Sequence, residues 1–314
     1  MHRRIERRVV IRSLLGLSAA LVAAAAACGG GPTEPGGESV VAKIAAPVAQ
    51  AAAAVTGQDA KLADEYEKGK YVGFDTHTYP GTAVMRAWKD APGSPYKWVG
   101  YYLPSPCHAD KSWTGKRDTL VAMGWGLAAV YVGQQTWGHV PHALTLQSQN
   151  ALRQKSPCAA DLLTASEGEL DGDDAIRKMT AEGFPKGSIV FLDIERMENM
   201  PEGMRDYYRA WVRRLLQNGN YTPGIYVHQH NAQQIFDDVS AEFVAAGRTE
   251  MPRFWVAGGK GFDEGRAPQD VGYAFAGVWQ GVIDVARSVA TIKLPVDINV
   301  AKWASPSESG VNVQ

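Results

Sequence analysis

Two carboxylates stand two positions apart at the end of an apolar run near the middle of the chain. Residues 189–192 (Ile-Val-Phe-Leu) contain no polar side chain, and Asp193 and Glu195 follow them. Such a run predicts a strand covered on both faces, as in a parallel sheet. Because strand side chains alternate, both carboxylates would lie on one face at the C-terminal end of the strand. Acids that share a poorly solvated site raise each other's pKa, which indicates catalysis or metal binding; two solvated loop acids are the alternative.

Two histidines offer a different chemistry. His228 and His230 end a later apolar run, and together with Asp75, His77 and Asp193 they would make a His/carboxylate set suited to a metal-dependent hydrolase. An isolated His-x-His is also common in solvated loops, and the cysteine spacing has no zinc signature. We therefore expect neither a metal nor another cofactor, and we keep metal-dependent hydrolysis through His228 and His230 as an alternative.

Eight strand-like apolar runs position these residues. Helical patterns lie between them, of which 204–218 has apolar side chains at i, i+3, i+4 and i+7 and stops at an Asn-Gly signal. Eight alternating units in about 240 residues predict a single-domain (β/α)8 barrel of the TIM type. A doubly wound open sheet is the alternative fold, but no glycine-rich phosphate-binding motif follows the first run. The runs are 71–74, 98–103, 127–132, 188–192, 224–227, 253–256, 277–279 and 296–298.

Polar side chains follow nearly every one of these runs, which is where a barrel of this type carries its active site. Any one of these residues is at least as readily explained as a solvated loop residue as it is as a site residue. The set as a whole, however, predicts one pocket at the C-terminal face. These strand ends carry Asp75, Tyr101 and Tyr102, Gln134 and Gln135, Asp193 and Glu195, His228 and His230, Gln280, and Asp297 and Asn299.

The N-terminal segment has the features of an export signal. Five arginines between positions 3 and 12 precede an apolar run that is short for a bilayer span, and small residues then precede Cys28. We expect a lipoprotein-type signal peptide over 1–27, lipidation of Cys28, and anchoring at the periplasmic or extracellular face of the cell envelope. Ala25 stands where a lipobox usually has Leu, and two adjacent arginines give a partial twin-arginine signal, so the export route stays open.

Composition divides the rest of the chain. Residues 28–67 are rich in Gly, Pro and Ala and predict a linker, 68–305 predict the one folded domain, and 306–314 form a short tail. Lys+Arg number 32 against 33 Asp+Glu, so the chain lacks the basic footprint of a nucleic-acid-binding protein. In an exported protein, Cys107 and Cys158 predict a disulfide, with two free thiols as the alternative.

Several motifs, taken in order, are similar to those of a known family. They are Gly73-Phe74-Asp75-Thr76, Val130-Tyr131-Val132-Gly133-Gln134-Gln135, the 189–195 segment, Tyr207-Tyr208-x-x-Trp211, Gly224-Ile225-Tyr226 and Val296-Asp297-Ile298-Asn299. Over about residues 70–303 the chain resembles the bacterial glycoside-hydrolase-like domain family DUF1906. That family is a (β/α)8 barrel related to the family 25 glycoside hydrolases, the lysozyme-type muramidases.

The resemblance implies a role for each acid. It places Asp75, Asp193, Glu195 and Asp297 in one acidic pocket, with Glu195 as the general acid. Asp193 would assist the acetamido group of the substrate or act as the base. One departure is His77, which stands where many members have Cys. Cleavage would use one protonated and one ionised carboxyl.

Further strand-end residues are expected to bind the glycan. They are Asp297, Gln134 and Gln280, with Tyr101 and Tyr226 stacking on sugar rings; for Trp279 core packing is favoured. Export beside peptidoglycan suggests cell-wall glycan as the partner, with the membrane contacted only through the lipid anchor and with no nucleic acid bound. A barrel that binds glycan without cleaving it stays an alternative, because an acidic cleft is also a binding cleft.

Overall fold

Eight strands close into a barrel, in chain order, in the computed structural model, which describes residues 70–308. This confirms the expected barrel. The predicted signal peptide, Cys28 and the linker lie outside the described residues, as does most of the tail. The strands are β1 Tyr71–Asp75, β2 Trp98–Leu103, β3 Gly126–Val132, β4 Ile189–Ile194, β5 Thr222–His228, β6 Arg253–Ala257, β7 Ala276–Val289 and β8 Ile292–Ala301.

Helices cover the outside of the barrel. The helix predicted at 204–218 is present: it buries Tyr208, Trp211, Val212 and Leu215, and it ends at Gly219 in a left-handed conformation. Within residues 70–308 no helix is long and apolar enough to cross a membrane. In this range the α-helices are α1 Thr82–Asp90, α2 Arg117–Ala122, α3 Leu146–Lys155, α4 Ala165–Ala181, α5 Glu202–Asn218 and α6 Ala232–Ala245, with 3-10 helices at Ala160–Leu162 and Pro268–Val271.

The last strand departs from the expected repeat of strand and helix. β8 pairs antiparallel with both β7 and β1, whereas the other neighbouring strands pair parallel. Only Ala290 and Thr291 separate β7 from β8. Two residues suffice for an antiparallel hairpin, but a parallel connection needs a crossover of about a dozen or more residues. The barrel therefore closes with a hairpin and not with an eighth strand–helix unit.

Aromatic side chains fill the barrel. Trp98 and Trp255 meet edge to face with ring centroids 5.4 Å apart, and Phe191 packs on Trp255 at 5.8 Å. Gly73 makes this packing possible, because a Cβ there would lie 2.2 Å from the Trp98 ring. The interior is thus a packed core, with the polar residues at the strand ends above it.

A disulfide ties two of the connecting segments together. Cys107, which follows β2, is bonded to Cys158, which lies between α3 and α4, across 51 positions of the sequence. The backbone N–H of Cys107 also donates to the carbonyl of Val132 at 3.2 Å. Both segments are thereby held at the C-terminal end of β3.

Candidate active site

The pairing of β1 with β8 brings Asp75 and Asp297 together. The two residues are direct partners in this antiparallel ladder. Gln280 on β7 joins them, since its Nε2 donates to Asp75 Oδ2 at 3.2 Å and to Asp297 Oδ2 at 2.9 Å. The sequence predicts that Asp297 ends a short strand, but the residue lies within the longer β8. It reaches the site because an antiparallel strand presents its earlier residues at the edge where the parallel strands end.

The carboxylate of Asp75 is buried and well supplied with donors. Asp75 is 3 % exposed. Its Oδ1 accepts from Tyr102 Oη at 2.7 Å, and its Oδ2 accepts from Asn299 Nδ2 at 2.7 Å in addition to Gln280. Burial raises the pKa of Asp75 to about 6, although the hydrogen bonds from these three residues favour the charged form and lower it.

Asp297 is half-buried and is also held by the backbone. Its Oδ1 accepts from the N–H of Asp284 at 2.6 Å. Asp284 has a φ of 52°, so the hairpin bends sharply where it supplies this donor. Burial raises the pKa of Asp297 to about 7, and the neighbouring Asp75 carboxylate raises it as well.

Asp193 is the buried acid of the site whose carboxyl lacks a hydrogen-bond donor at one oxygen. It is 7 % exposed, and its Oδ1 is buried without a hydrogen-bond partner among residues 70–308. Burial raises its pKa well above the ordinary range, and the carboxylates of Glu195 and Asp75 add to that rise. This environment favours the protonated form of the carboxyl, because nothing compensates a buried charge at its Oδ1.

Glu195 lies just beyond β4 and is exposed, so it is the acid of the pair that solvent reaches. Gln135 fixes the backbone on both sides of this turn: its Nε2 donates to the carbonyl of Asp193 at 2.8 Å, and its Oε1 accepts from the N–H of Glu195 at 3.1 Å. Partial burial raises the pKa of the Glu195 carboxyl, while the backbone N–H of Arg196 and the nearby His77 lower it.

Tyr226, half-buried on β5, faces all four acids. Its Oη donates to Gln280 Oε1 at 2.5 Å. Burial raises the pKa of its phenol well above the ordinary range, because a phenolate here would be both desolvated and close to other negative charges. The carboxylates that raise it further are those of Asp193, Glu195, Asp75 and Asp297. The structure thus gathers these acids with Gln280 and Tyr226 in one site.

The position of Tyr101 corrects an expectation. Tyr101 is fully buried outside the barrel, where its Oη donates to the carbonyl of Trp113 at 2.6 Å and contacts Glu182. It is the adjacent Tyr102 that points inward to Asp75. A step of one residue reverses the face of a strand, and two consecutive tyrosines carry no signal for the choice. Tyr102 shares the interior face with Trp98 and Gly100, but β2 is buried on both faces, so its sequence does not mark that face.

Gln134 is likewise separated from the acids. Its Nε2 donates to the carbonyl of Pro157 at 2.8 Å, and its Oε1 accepts from the N–H of Ala159 at 3.0 Å. These bonds hold the segment that contains Cys158, so this glutamine positions a loop, and Gln135 is the one that contacts the acid pair. Trp279 is fully buried and donates to the carbonyl of Gly258 at 2.6 Å, as core packing requires.

The two histidines of the metal alternative lie at the end of β5. The N–H of His230 donates to His228 Nδ1 at 3.1 Å, and His230 Nε2 lies 3.5 Å from the carbonyl oxygen of Glu198. Burial lowers the pKa of His228. In the part of the chain that the structure describes, no three His, Cys, Asp or Glu side chains are arranged to hold a metal ion. The expected five-residue set is therefore not assembled around these histidines.

Solved structures with a similar fold come from several bacteria. An uncharacterized protein of B. stearothermophilus is 18% identical, with 73% of this chain and 95% of that chain covered and a TM-score of 0.47. The Tat-secreted protein Rv2525c of Mycobacterium tuberculosis is 17% identical, with 74% and 95% covered and a TM-score of 0.42. The modular autolysin LytC of Streptococcus pneumoniae is 12% identical, with 74% and 46% covered and a TM-score of 0.46.

A comparison of the whole sequence with curated proteins found no match. A family model described as the Rv2525c-like, glycoside hydrolase-like domain matches residues 86–300. The matched range contains Asp193, Glu195 and Asp297 and begins after Asp75. It spans well over half of the 314 residues. The chain therefore belongs to the Rv2525c-like, glycoside hydrolase-like domain family.

Proposed function

We propose that this chain is an exported hydrolase that cleaves cell-wall glycan of the peptidoglycan type with a pair of carboxyl groups. The observation that carries the proposal is the convergence of four carboxyls with raised pKa values at one end of the barrel. Glycoside cleavage needs a protonated and an ionised carboxyl side by side, and environments that push carboxyl pKa values apart supply both. Membership in a glycoside hydrolase-like family supports the same class of reaction.

Glu195 is the general acid in this proposal. Its side chain is exposed, so a glycosidic oxygen can reach it, and its raised pKa favours the protonated form that a general acid needs. The proton passes from the Glu195 carboxyl to the leaving oxygen as the bond to the anomeric carbon breaks, and a water molecule then bonds to that carbon and returns a proton to the Glu195 carboxylate. Gln135 supports this role, because its two backbone hydrogen bonds fix the turn from which Glu195 projects.

The other acids divide the remaining tasks. Asp75 accepts three hydrogen bonds that favour its charged form, so it is the carboxylate that stabilises the positive charge developing on the sugar. Asp193, adjacent to Glu195, orients the acetamido group of the substrate through a hydrogen bond or, in its ionised form, accepts the proton of that group. Asp297, Gln280 and Tyr226 line the site and bind sugar hydroxyls. The signal peptide at 1–27, the lipid on Cys28 and the linker at 28–67 would hold the barrel beside the envelope.

The test is release of reducing ends from purified peptidoglycan. We expect the wild-type chain to produce them, and Glu195→Gln to lower the rate by roughly 10²–10⁴-fold, the contribution typical of a general acid, without lowering the thermal midpoint. Glu198→Gln is the matched control, because Glu198 is an exposed glutamate three positions on whose carboxylate pairs with Arg196. This control should retain the wild-type rate.

Two outcomes would contradict the proposal in different ways. A Glu195→Gln variant as active as wild type would remove Glu195 from the acid role. A wild-type chain that sediments with peptidoglycan but releases no reducing ends would identify a glycan-binding barrel and not a hydrolase.

A further inference from the structure

An exposed apolar segment borders the acid site. Three of the seven large apolar side chains that are exposed within residues 70–308 fall between positions 137 and 146: Trp137 is 60 % exposed, Val140 77 % and Leu146 71 %. Trp137 is the only aromatic residue among the seven. Single exposed apolar residues are ordinary, so the inference depends on where this tryptophan lies and how it is held.

Trp137 lies close in the chain to a residue that contacts the proposed catalytic acids. It stands two residues after Gln135, whose side chain bonds to the carbonyl of Asp193 at 2.8 Å and to the N–H of Glu195 at 3.1 Å. The intervening Thr136 is buried. The chain therefore leaves the edge of the acid pair and reaches solvent at Trp137, only two residues beyond the glutamine that fixes that pair.

The backbone of Trp137 adopts a conformation that few tryptophans adopt. Its φ is 39° and that of Gly138 is 82°, and the N–H of His139 donates to the carbonyl of Thr136 at 2.8 Å. This is a tight turn with two central residues at positive φ, positions that Gly, Asn and Asp usually occupy. A bulky residue there is strained, and such strain is concentrated at functional sites.

Among residues 70–308, aromatic, cation and hydrogen-bond contacts do not account for a tryptophan at this position. The Trp137 ring contacts no other aromatic ring or cation there, and its indole N–H makes no hydrogen bond. The C-terminal end of the 137–146 segment is nevertheless fixed. The N–H of His142 donates to Asp161 Oδ1 at 2.7 Å, and Thr145 Oγ1 accepts from the N–H of Ser148 at 3.2 Å. The ring is thus presented to solvent by a segment that is held at both ends.

We propose that Trp137 is a sugar-binding platform that forms a glycan subsite on the rim of the acid site. The C–H groups of a pyranose ring form an apolar face that matches the face of an indole, whose electron-rich surface attracts them. The substrate class is a β-linked N-acetylhexosamine chain, and that part of the inference rests on the proposed function. A preorganised ring binds such a chain with little further loss of conformational entropy.

Binding of soluble chitin-type oligomers, measured by calorimetry on the full chain carrying Glu195→Gln so that no turnover interferes, tests this subsite. We expect Trp137→Ala to raise Kd about tenfold or more, as expected for an aromatic binding anchor. Trp137→Tyr, which keeps a ring, should recover most of the affinity. Trp137→Gly suits the positive φ but lacks the ring, so it should bind as weakly as Trp137→Ala without a lower thermal midpoint.

The matched control is Val244→Ala, at an apolar side chain 72 % exposed in the last turn of α6, and it should leave Kd unchanged. Wild-type affinity in both Trp137→Ala and Trp137→Gly would overturn the subsite, even if Glu195-dependent cleavage is found. Conversely, Trp137-dependent binding by a chain that releases no reducing ends would support the subsite and contradict hydrolysis. Absence of both binding and cleavage would overturn both proposals.

Discussion

At the carboxyl of Asp75, burial and hydrogen bonding act in opposite directions. Desolvation alone would leave this acid protonated, but donors from Tyr102, Asn299 and Gln280 lower its pKa again, to about 6. At Asp193 burial acts without donors to the buried Oδ1, and its pKa lies well above the ordinary range. The difference between these two acids comes from their neighbours and not from their residue type.

Removing one donor should therefore change the titration of Asp75. We expect Tyr102→Phe to raise the pKa of Asp75 by about 1–2, since a hydrogen bond to a charged group contributes roughly 1.5–3 kcal/mol and one pH unit corresponds to about 1.4 kcal/mol. Carbon-detected NMR titration of the aspartate carboxyls measures it. Tyr101→Phe removes the same hydroxyl from the adjacent, outward-facing residue and should leave Asp75 unchanged. Equal titration in both variants would mean that the Tyr102 bond does not stabilise the charge.

At the scale of the strands, the close approach of β1 to β2 is what allows Asp75 to lie in the barrel. Gly100 on β2 faces Asp75, and a Cβ at position 100 would lie 2.5 Å from the Asp75 Cβ. No real side chain tolerates that distance, so β1 would have to move. Because Asp75 is also the direct partner of Asp297 across β8, such a movement would disturb both acids.

Gly100→Ala should accordingly destabilise the barrel and impair the site. We expect a loss of about 1–3 kcal/mol in the free energy of unfolding, as for other overpacked interiors, with reduced release of reducing ends. Urea denaturation and the peptidoglycan assay measure the two effects. Gly265→Ala is the control, because the nearest atom to its new Cβ is the movable Asp263 Oδ1 at 3.0 Å. If Gly100→Ala is as stable and active as this control, the strands are not as tightly opposed as described.

For the molecule as a whole, the acid site lowers stability at neutral pH. A carboxyl whose pKa is higher in the folded than in the unfolded state stabilises the protein at low pH, and this contribution is lost as pH rises toward the folded pKa. Asp75, Asp193 and Asp297 all have this sign. Outside the site, burial also raises the pKa of Asp171 to about 7, despite a hydrogen bond from Tyr207 Oη at 2.7 Å.

The substitution Asp193→Asn removes the pH-dependent contribution of one of these carboxyls to the free energy of unfolding. We expect the variant to match wild type near pH 4 and to become more stable than wild type as pH rises, by up to about 1.4 kcal/mol per pH unit until the folded pKa is reached. Urea unfolding at pH 4, 6 and 8 measures the difference. Asp90→Asn, at an exposed carboxylate at the end of α1, should show no comparable trend. A difference between Asp193→Asn and wild type that is independent of pH would contradict the raised pKa.

Local sequence patterns are sufficient to predict the strands and the acids that follow them. Apolar runs and amphipathic spacing are local patterns, so β4, the helix that ends at Gly219 and the positions of Asp75, Asp193 and Glu195 were all predictable from neighbouring residues. The family motifs are also short and local, so they can be recognised from the sequence. The export signal and lipid anchor remain predictions, since they lie outside the described residues.

Which side chains meet depends on how the strands pair, and that is visible only in the assembled barrel. In a strand buried on both faces the pattern is apolar on both sides, so sequence could not choose between Tyr101 and Tyr102 or between Gln134 and Gln135. The direction of β8 depends on pairing with β1, a contact made between opposite ends of the domain. Burial and neighbouring charge, which set the pKa values of the acids, and the exposure of Trp137 are likewise properties of the assembled barrel, because each depends on residues far apart in the chain.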